Sequence, residues 1–157
     1  MRVTADTNVL LRVVTQDDPV QGPIAARLLR EAETVAIPTV VFCEFVWTLR
    51  RLYQKSPADI GRAIRALMAA SNVVVDRAAV EQGLAVMDRG GDFADGVIAH
   101  EGAWLGGVEF VSFERSAVRL VNMTGSSARL PTDPDEGSHS QVMSRADGDE
   151  AEGSKAL

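Results

Sequence analysis

The chain contains one cysteine, Cys43, in 157 residues. An internal disulfide is therefore excluded, and a lone thiol suits a reducing, cytoplasmic setting. Aromatic residues make up only 5% of the chain, and Trp47 and Trp104 read as core or dimer-interface residues rather than base-stacking platforms. Long apolar runs are missing too: no stretch approaches the roughly 18 residues of a membrane span. Asp6 and Asn8 interrupt the N-terminal apolar run where a signal peptide would need one, so a soluble protein is expected. Basic residues are in deficit. A formal net charge of −6 argues against a DNA-coating protein, whose affinity needs a broad basic surface. There is no internal repeat, and Gly90-Gly91 reads as a helix stop and turn, because no phosphate-loop spacing follows it.

What is present is a core. With 46% apolar residues, a chain of this length can bury one sizeable hydrophobic interior. The acidity is concentrated at the end. Residues 126–157 hold seven acids against three bases, a net of −4, which leaves −2 for residues 1–125. From Gly125 onward Ser, Asp, Glu, Gly and Pro dominate and apolar periodicity stops. The expected organisation is a folded body over residues 1–124 and an acidic, disordered tail over 125–157.

Within the body, short apolar runs alternate with helical patterns. Arg2 to Asp6 reads as a short central strand ending in an acid, with Thr7 offering the N-cap of a helix over residues 8–14. Asp17-Asp18-Pro19 starts a second helix, and Val35 to Pro38 is a buried strand stopped by proline. Thr39 is expected to cap a helix running to about Tyr53, and Ser56-Pro57 opens another. A strand over 73–76, helices over 78–88 and 93–105, a strand over 109–112 and a short helix over 116–121 complete the pattern. This alternation predicts an α/β domain with a largely parallel sheet, whose sites form at the carboxyl ends of strands.

The acids fall where such a site would form. Asp6 and Glu114 follow apolar strands, and each alone reads equally as a helix cap or a loop acid. Glu44 lies mid-helix among Val41, Phe42, Phe45 and Trp47, where a carboxylate needs a partner: either an arginine or a shared site. Asp92 and Asp95 stand at i, i+3 spacing, which suits both the macrodipole and a common ligand. Carboxylates are costly to gather unless a cation neutralises them. Their joint placement points to hard-cation chemistry, with oxygen ligands suited to Mg²⁺ or Mn²⁺. Arg12 and Arg115 adjoin these segments and read equally as phosphate contacts or as partners of those same acids. Cys43 reads as a core thiol and His100 as structural, since on a helix it points away from Asp95.

Four segments carry a resemblance. Ala5-Asp6-Thr7-Asn8-Val9-Leu10-Leu11-Arg12 resembles the opening of PIN-domain ribonucleases of the VapC toxin type. Thr39 to Phe45 resembles the segment of the second acid, and Asp92-Phe93-Ala94-Asp95-Gly96-Val97-Ile98-Ala99 that of the third. Ser112-Phe113-Glu114-Arg115 resembles the terminal motif, with glutamate where aspartate is usual. The resemblance spans residues 1–122. It implies a PIN-like three-layer α/β/α fold with a short central sheet. It also implies an acidic site of Asp6, Glu44, Asp95 and Glu114, with Asp92 as an additional metal ligand and Asn8 and Ser112 as polar support. The implied activity is Mg²⁺- or Mn²⁺-dependent cleavage of RNA by a homodimeric toxin, silenced by a VapB-like antitoxin. Two other readings differ in class. A dehalogenase-like phosphatase also opens on an aspartate but needs a second one where Asn8 stands. A catalytically weak PIN-like binding or regulatory module would keep the fold without the chemistry.

Overall fold

The computed structural model describes residues 1–132, so the expected disorder of the acidic stretch over 133–157 lies outside the described residues. Strands β1 (Arg2–Thr4), β2 (Thr34–Ala36) and β3 (Val73–Val74) pair in that order, all parallel, with Val3 opposite Val35 and Val35 opposite Val73, so β2 and not β1 is the middle strand of this three-stranded sheet. Ladder bonds continue one residue past the strands, from Ala5 N to Ala36 O at 2.9 Å and from Ile37 N to Val74 O at 3.0 Å. Val35 and Ile37 are fully enclosed, as expected for a parallel sheet covered on both faces. Helices on either side make the three-layer α/β/α fold expected from the sequence.

The helices explain themselves through periodicity. Helix α1 (Thr7–Thr15) is followed by α2 (Gln21–Glu31), two residues later than the Asp-Asp-Pro signal indicates. Asp18 instead closes the preceding turn, accepting from Val20 N at 2.9 Å and Gln21 N at 2.7 Å. Helix α3 (Thr39–Arg51) buries Phe42, Phe45, Val46 and Leu49, an i, i+3, i+4, i+7 stripe facing the sheet. Helix α4 (Pro57–Ala69) has Pro57 at its first position and Ser56 as its cap, whose hydroxyl accepts from Asp59 N at 3.1 Å. Asp17 fastens the end of α1 to Tyr53 beyond α3: it accepts from the Tyr53 hydroxyl at 2.7 Å, from Thr15 at 2.8 Å and, on both carboxylate oxygens, from Arg12 Nη1. Those bonds, Tyr53 first and Thr15 next, hold its carboxyl down at about 2.

Helices α5 (Arg77–Met87) and α6 (Phe93–Trp104) make the tightest pair. A Cβ at Gly83 would stand 2.7 Å from the Phe93 ring, and one at Gly96 would run into the Gln82 carbonyl oxygen and lie 2.8 Å from Gly83 Cα. Backbone approach this close is possible only without side chains.

The fold departs from expectation at its end. After β4 (Phe110–Val111) and α7 (Arg115–Met123), the chain forms β5 (Ala128–Arg129), which pairs in parallel with β4. Phe110 N donates to Ser127 O at 2.8 Å, and Asn122 exchanges two hydrogen bonds with Ala128, at 2.8 and 2.9 Å. Gln82 reaches from α5 to Thr124 and Ser126 at 2.6 and 3.0 Å. The body therefore continues past residue 124. A strand of two residues lacks the alternation that would announce it, and its stability comes from partners far away in sequence. A chain ending at Thr124 keeps the Gln82–Thr124 bond but loses the others and the cover Ala128 gives to Val86, Leu120 and Val121. It is expected to be less stable by about 2 kcal/mol in urea titration, whereas one ending after Thr132 keeps full stability. Equal midpoints for the two truncations would show that β5 contributes nothing.

Candidate functional site

Asp6 follows β1 after one buried residue, Ala5, and is the N-cap of α1, in extended backbone, with no hydrogen bond from its side chain to the helix. Its carboxylate is left free and exposed. Thr7, expected as the cap, is instead the first helical residue. It is 3% exposed, and its hydroxyl donates to Glu44 Oε2 at 2.6 Å. That contact corrects the expectation for Glu44. The side chain is exposed rather than enclosed by apolar neighbours, because Val41, Phe42 and Phe45 occupy the inner face of α3 and Glu44 the outer one. Its partner is a hydroxyl and not an arginine.

A second group of acids lies at helix starts. Asp92 caps α6, accepting from Ala94 N at 3.0 Å, and Asp95 sits in the first turn of that helix, half-buried. Glu114 is the residue before α7; its amide donates to Ser112 Oγ at 3.1 Å and its Oε1 accepts from Ser116 Oγ at 2.6 Å. Asp92, Asp95 and Glu114 line one cleft of about 510 Å³, with Trp47, Arg50 and Arg51 of α3 also on its walls. The cleft shapes the electrostatics. Burial pushes the Asp95 carboxyl up from its ordinary value, and the charges of Asp92 and Glu114 push it further the same way.

Three of the expected acids thus converge, and the Asp6–Thr7–Glu44 group stands outside the residues that line this cleft. Among the described residues no three His, Cys, Asp or Glu side chains are already gathered closely enough to hold an ion. The donor chemistry nonetheless fits Mg²⁺ or Mn²⁺: the convergent acids offer oxygen ligands, and the burial and, after it, the repulsion that raise Asp95 are costs a cation offsets. Asn8 is exposed in the first turn of α1, and Ser112 supports the Glu114 loop. Arg12 is committed to Asp17 at 2.9 Å and to Gln21 at 2.8 Å, so it is not a free phosphate contact. Arg115 opens α7 and is exposed, and it is not among the residues that line the cleft.

Several features were not visible beforehand. Thr39 does not cap α3 but is its first residue, Pro38 standing at the N-cap; its hydroxyl donates to Glu101, a half-buried acid with no motif to mark it. His100 accepts from the Trp104 indole at 3.1 Å. Both tryptophans are exposed, Trp47 by 57% and Trp104 by 80%, so neither belongs to the core. Arg50 and Arg51 carried no signal beyond their place in the last turn of α3.

Cys43 is half-buried, and desolvation, then Glu101 and Asp92, push its thiol up to about 11. Alkylation by iodoacetamide at pH 8 is therefore expected to run about 100-fold slower than for a thiol at its ordinary value of 9.0. Urea should abolish the difference. Rapid labelling of the folded protein would contradict the shielded thiol.

The PIN domain family model matches residues 3–101, more than half of the chain, taking in Asp6, Asn8, Arg12, Glu44, Asp92 and Asp95 and stopping short of Ser112, Glu114 and Arg115. No curated protein matches the sequence. With the three-layer fold and carboxylates at strand ends and helix starts, the chain belongs to the PIN domain family, whose members are generally nucleases.

Proposed function

We propose that the protein is a Mg²⁺- or Mn²⁺-dependent endoribonuclease that hydrolyses RNA phosphodiester bonds, acting as the toxin of a type II toxin–antitoxin pair. The observation that carries the reading is the half-buried Asp95 flanked by Asp92 and Glu114 in one cleft of a PIN domain. Asp6, Asp92, Asp95 and Glu114 are the residues that would hold the metal, with Glu44 as the remaining acid of the site. Such a cation, when bound, supplies an activated water near neutral pH and offsets charge on the phosphate. The chain's own groups do the positioning. Thr7 orients Glu44, Ser112 and Ser116 steady Glu114, and the cap bond to Ala94 fixes Asp92. Among the described residues the one thiol, Cys43, is a poor nucleophile, since burial pushes it up to about 11. The toxin role, the VapB-like antitoxin, the homodimer and the cytoplasmic setting rest on the resemblance of residues 5–12 and 92–99 to VapC-type toxins.

A second reading is a catalytically weak PIN-like binding or regulatory module. It is favoured by the absence, among the described residues, of a gathered three-acid cluster, and by glutamate at 114. Purified full-length protein incubated with RNA separates the two. The nuclease reading expects cleavage with Mg²⁺ or Mn²⁺, none in EDTA, and growth arrest on expression in a cell lacking an antitoxin. RNA binding without cleavage at any metal concentration would support the binding module instead.

A further inference from the structure

We propose that Trp47, Arg50 and Arg51 form a substrate-holding wall of the acidic cleft, the indole stacking an unpaired base and the guanidinium groups taking adjacent phosphates of a single-stranded nucleic acid. The proposal rests on the nuclease reading and names the class of strand that the cleft accepts. Positions 47, 50 and 51 follow i, i+3, i+4 spacing, so their side chains share one face of α3. All three line the cleft that holds Asp92, Asp95 and Glu114. Trp47 is 57% exposed there, while Phe42, Phe45 and Leu49 of the same helix are almost wholly enclosed. An indole so exposed beside two cations is a surface for a flat, anionic ligand.

Charge points the same way. The three acids repel a polyanion, so a strand can approach them only where its phosphates are neutralised. Arg12, Arg62, Arg65, Arg77 and Arg129 are spent on acidic partners, whereas Arg50 and Arg51 pair with no acid among the described residues. Cations in the last turn of a helix also favour its dipole, but that leaves the exposed tryptophan on the same wall unexplained. A duplex keeps its bases stacked inside, so only a single strand can use the indole.

The test is binding by the full chain in EDTA, where no strand is cut, followed by anisotropy of labelled single-stranded oligoadenylate as RNA and as DNA. Trp47→Ala is expected to weaken binding of the single strands about tenfold or more, while Trp47→Phe, which keeps a ring, retains most of it. The Arg50→Gln, Arg51→Gln double variant should flatten the salt dependence by a slope of roughly 1.4, two phosphate contacts' worth. In a Trp104→Phe background Trp47 is the only tryptophan, and its fluorescence should be quenched by the oligonucleotide. Loss of single-strand affinity in Trp47→Ala, with rescue by phenylalanine, supports the wall even if the wild type proves not to cleave. Metal-dependent cleavage by a wild type whose folded Trp47→Ala and double-glutamine variants bind and cut equally well overturns it and leaves the nuclease reading standing. Variants that lose affinity for a partner protein but not for either strand would likewise overturn it.

Discussion

Asp95→Asn protein is expected to lose metal-dependent cleavage by about 100-fold or more, since even outer-shell partners of a metal commonly cost 10–100-fold when removed. The same change should raise stability when no metal is present. Burial first, and the charges of Asp92 and Glu114 after it, lift the Asp95 carboxyl above its ordinary 3.8. The folded protein therefore holds this proton more tightly than the unfolded chain does. Below pH 3.8 both states are protonated and the ionisation cost is absent; it develops as pH rises through the shifted value and is complete at neutral pH. Asparagine keeps the shape and removes the charge. Urea midpoints in EDTA should favour the variant at pH 7, and the gap should close in acid. Mn²⁺ should raise the wild-type midpoint, as any ligand of the folded state does, and leave the variant's unchanged. A variant that cleaves RNA at the wild-type rate would sink the assignment of Asp95.

Gly96→Ala is expected to be the most damaging single methyl in the domain. Alanine improves intrinsic helix propensity by about 1 kcal/mol over glycine, yet here the new carbon meets the Gln82 carbonyl oxygen and comes within 2.8 Å of Gly83 Cα. Both obstacles are backbone and cannot rotate aside, so α6 must move away from α5. Overpacking of this sort costs about 1–3 kcal/mol or more, which outweighs the propensity gain and takes a large share of a typical domain's stability. The same displacement carries Asp92 and Asp95, one on each side of Phe93 and Ala94, out of register with Glu114, so activity should fall along with the urea midpoint. Gly102, on the same helix, has no atom within 4 Å of an added Cβ. Gly102→Ala should therefore stabilise by up to about 1 kcal/mol. Equal effects at the two positions would mean that α5 and α6 are not in backbone contact.

The sequence by itself determined the parts that depend on local pattern. The 3.6-residue spacing of Phe42, Phe45, Val46 and Leu49 marks α3, Ser56-Pro57 marks the start of α4, and the strand-like runs at 2–6, 35–38 and 73–76 place the parallel strands. It also placed Asp92 and Asp95 at a helix start and Glu114 at a strand end, because caps and strand ends have recognisable residue chemistry. Only the tertiary structure decided what those residues face. Periodicity tells which side chains share a surface, but not which surface another element covers. So Glu44 turned outward to a threonine, Trp47 stood open beside the acids, Arg12 was taken by Asp17, and a strand of two residues beyond Gly125 found its partner in β4. Each of those outcomes is set by a contact between segments distant in the chain, where packing and hydrogen-bond partners outweigh any local preference.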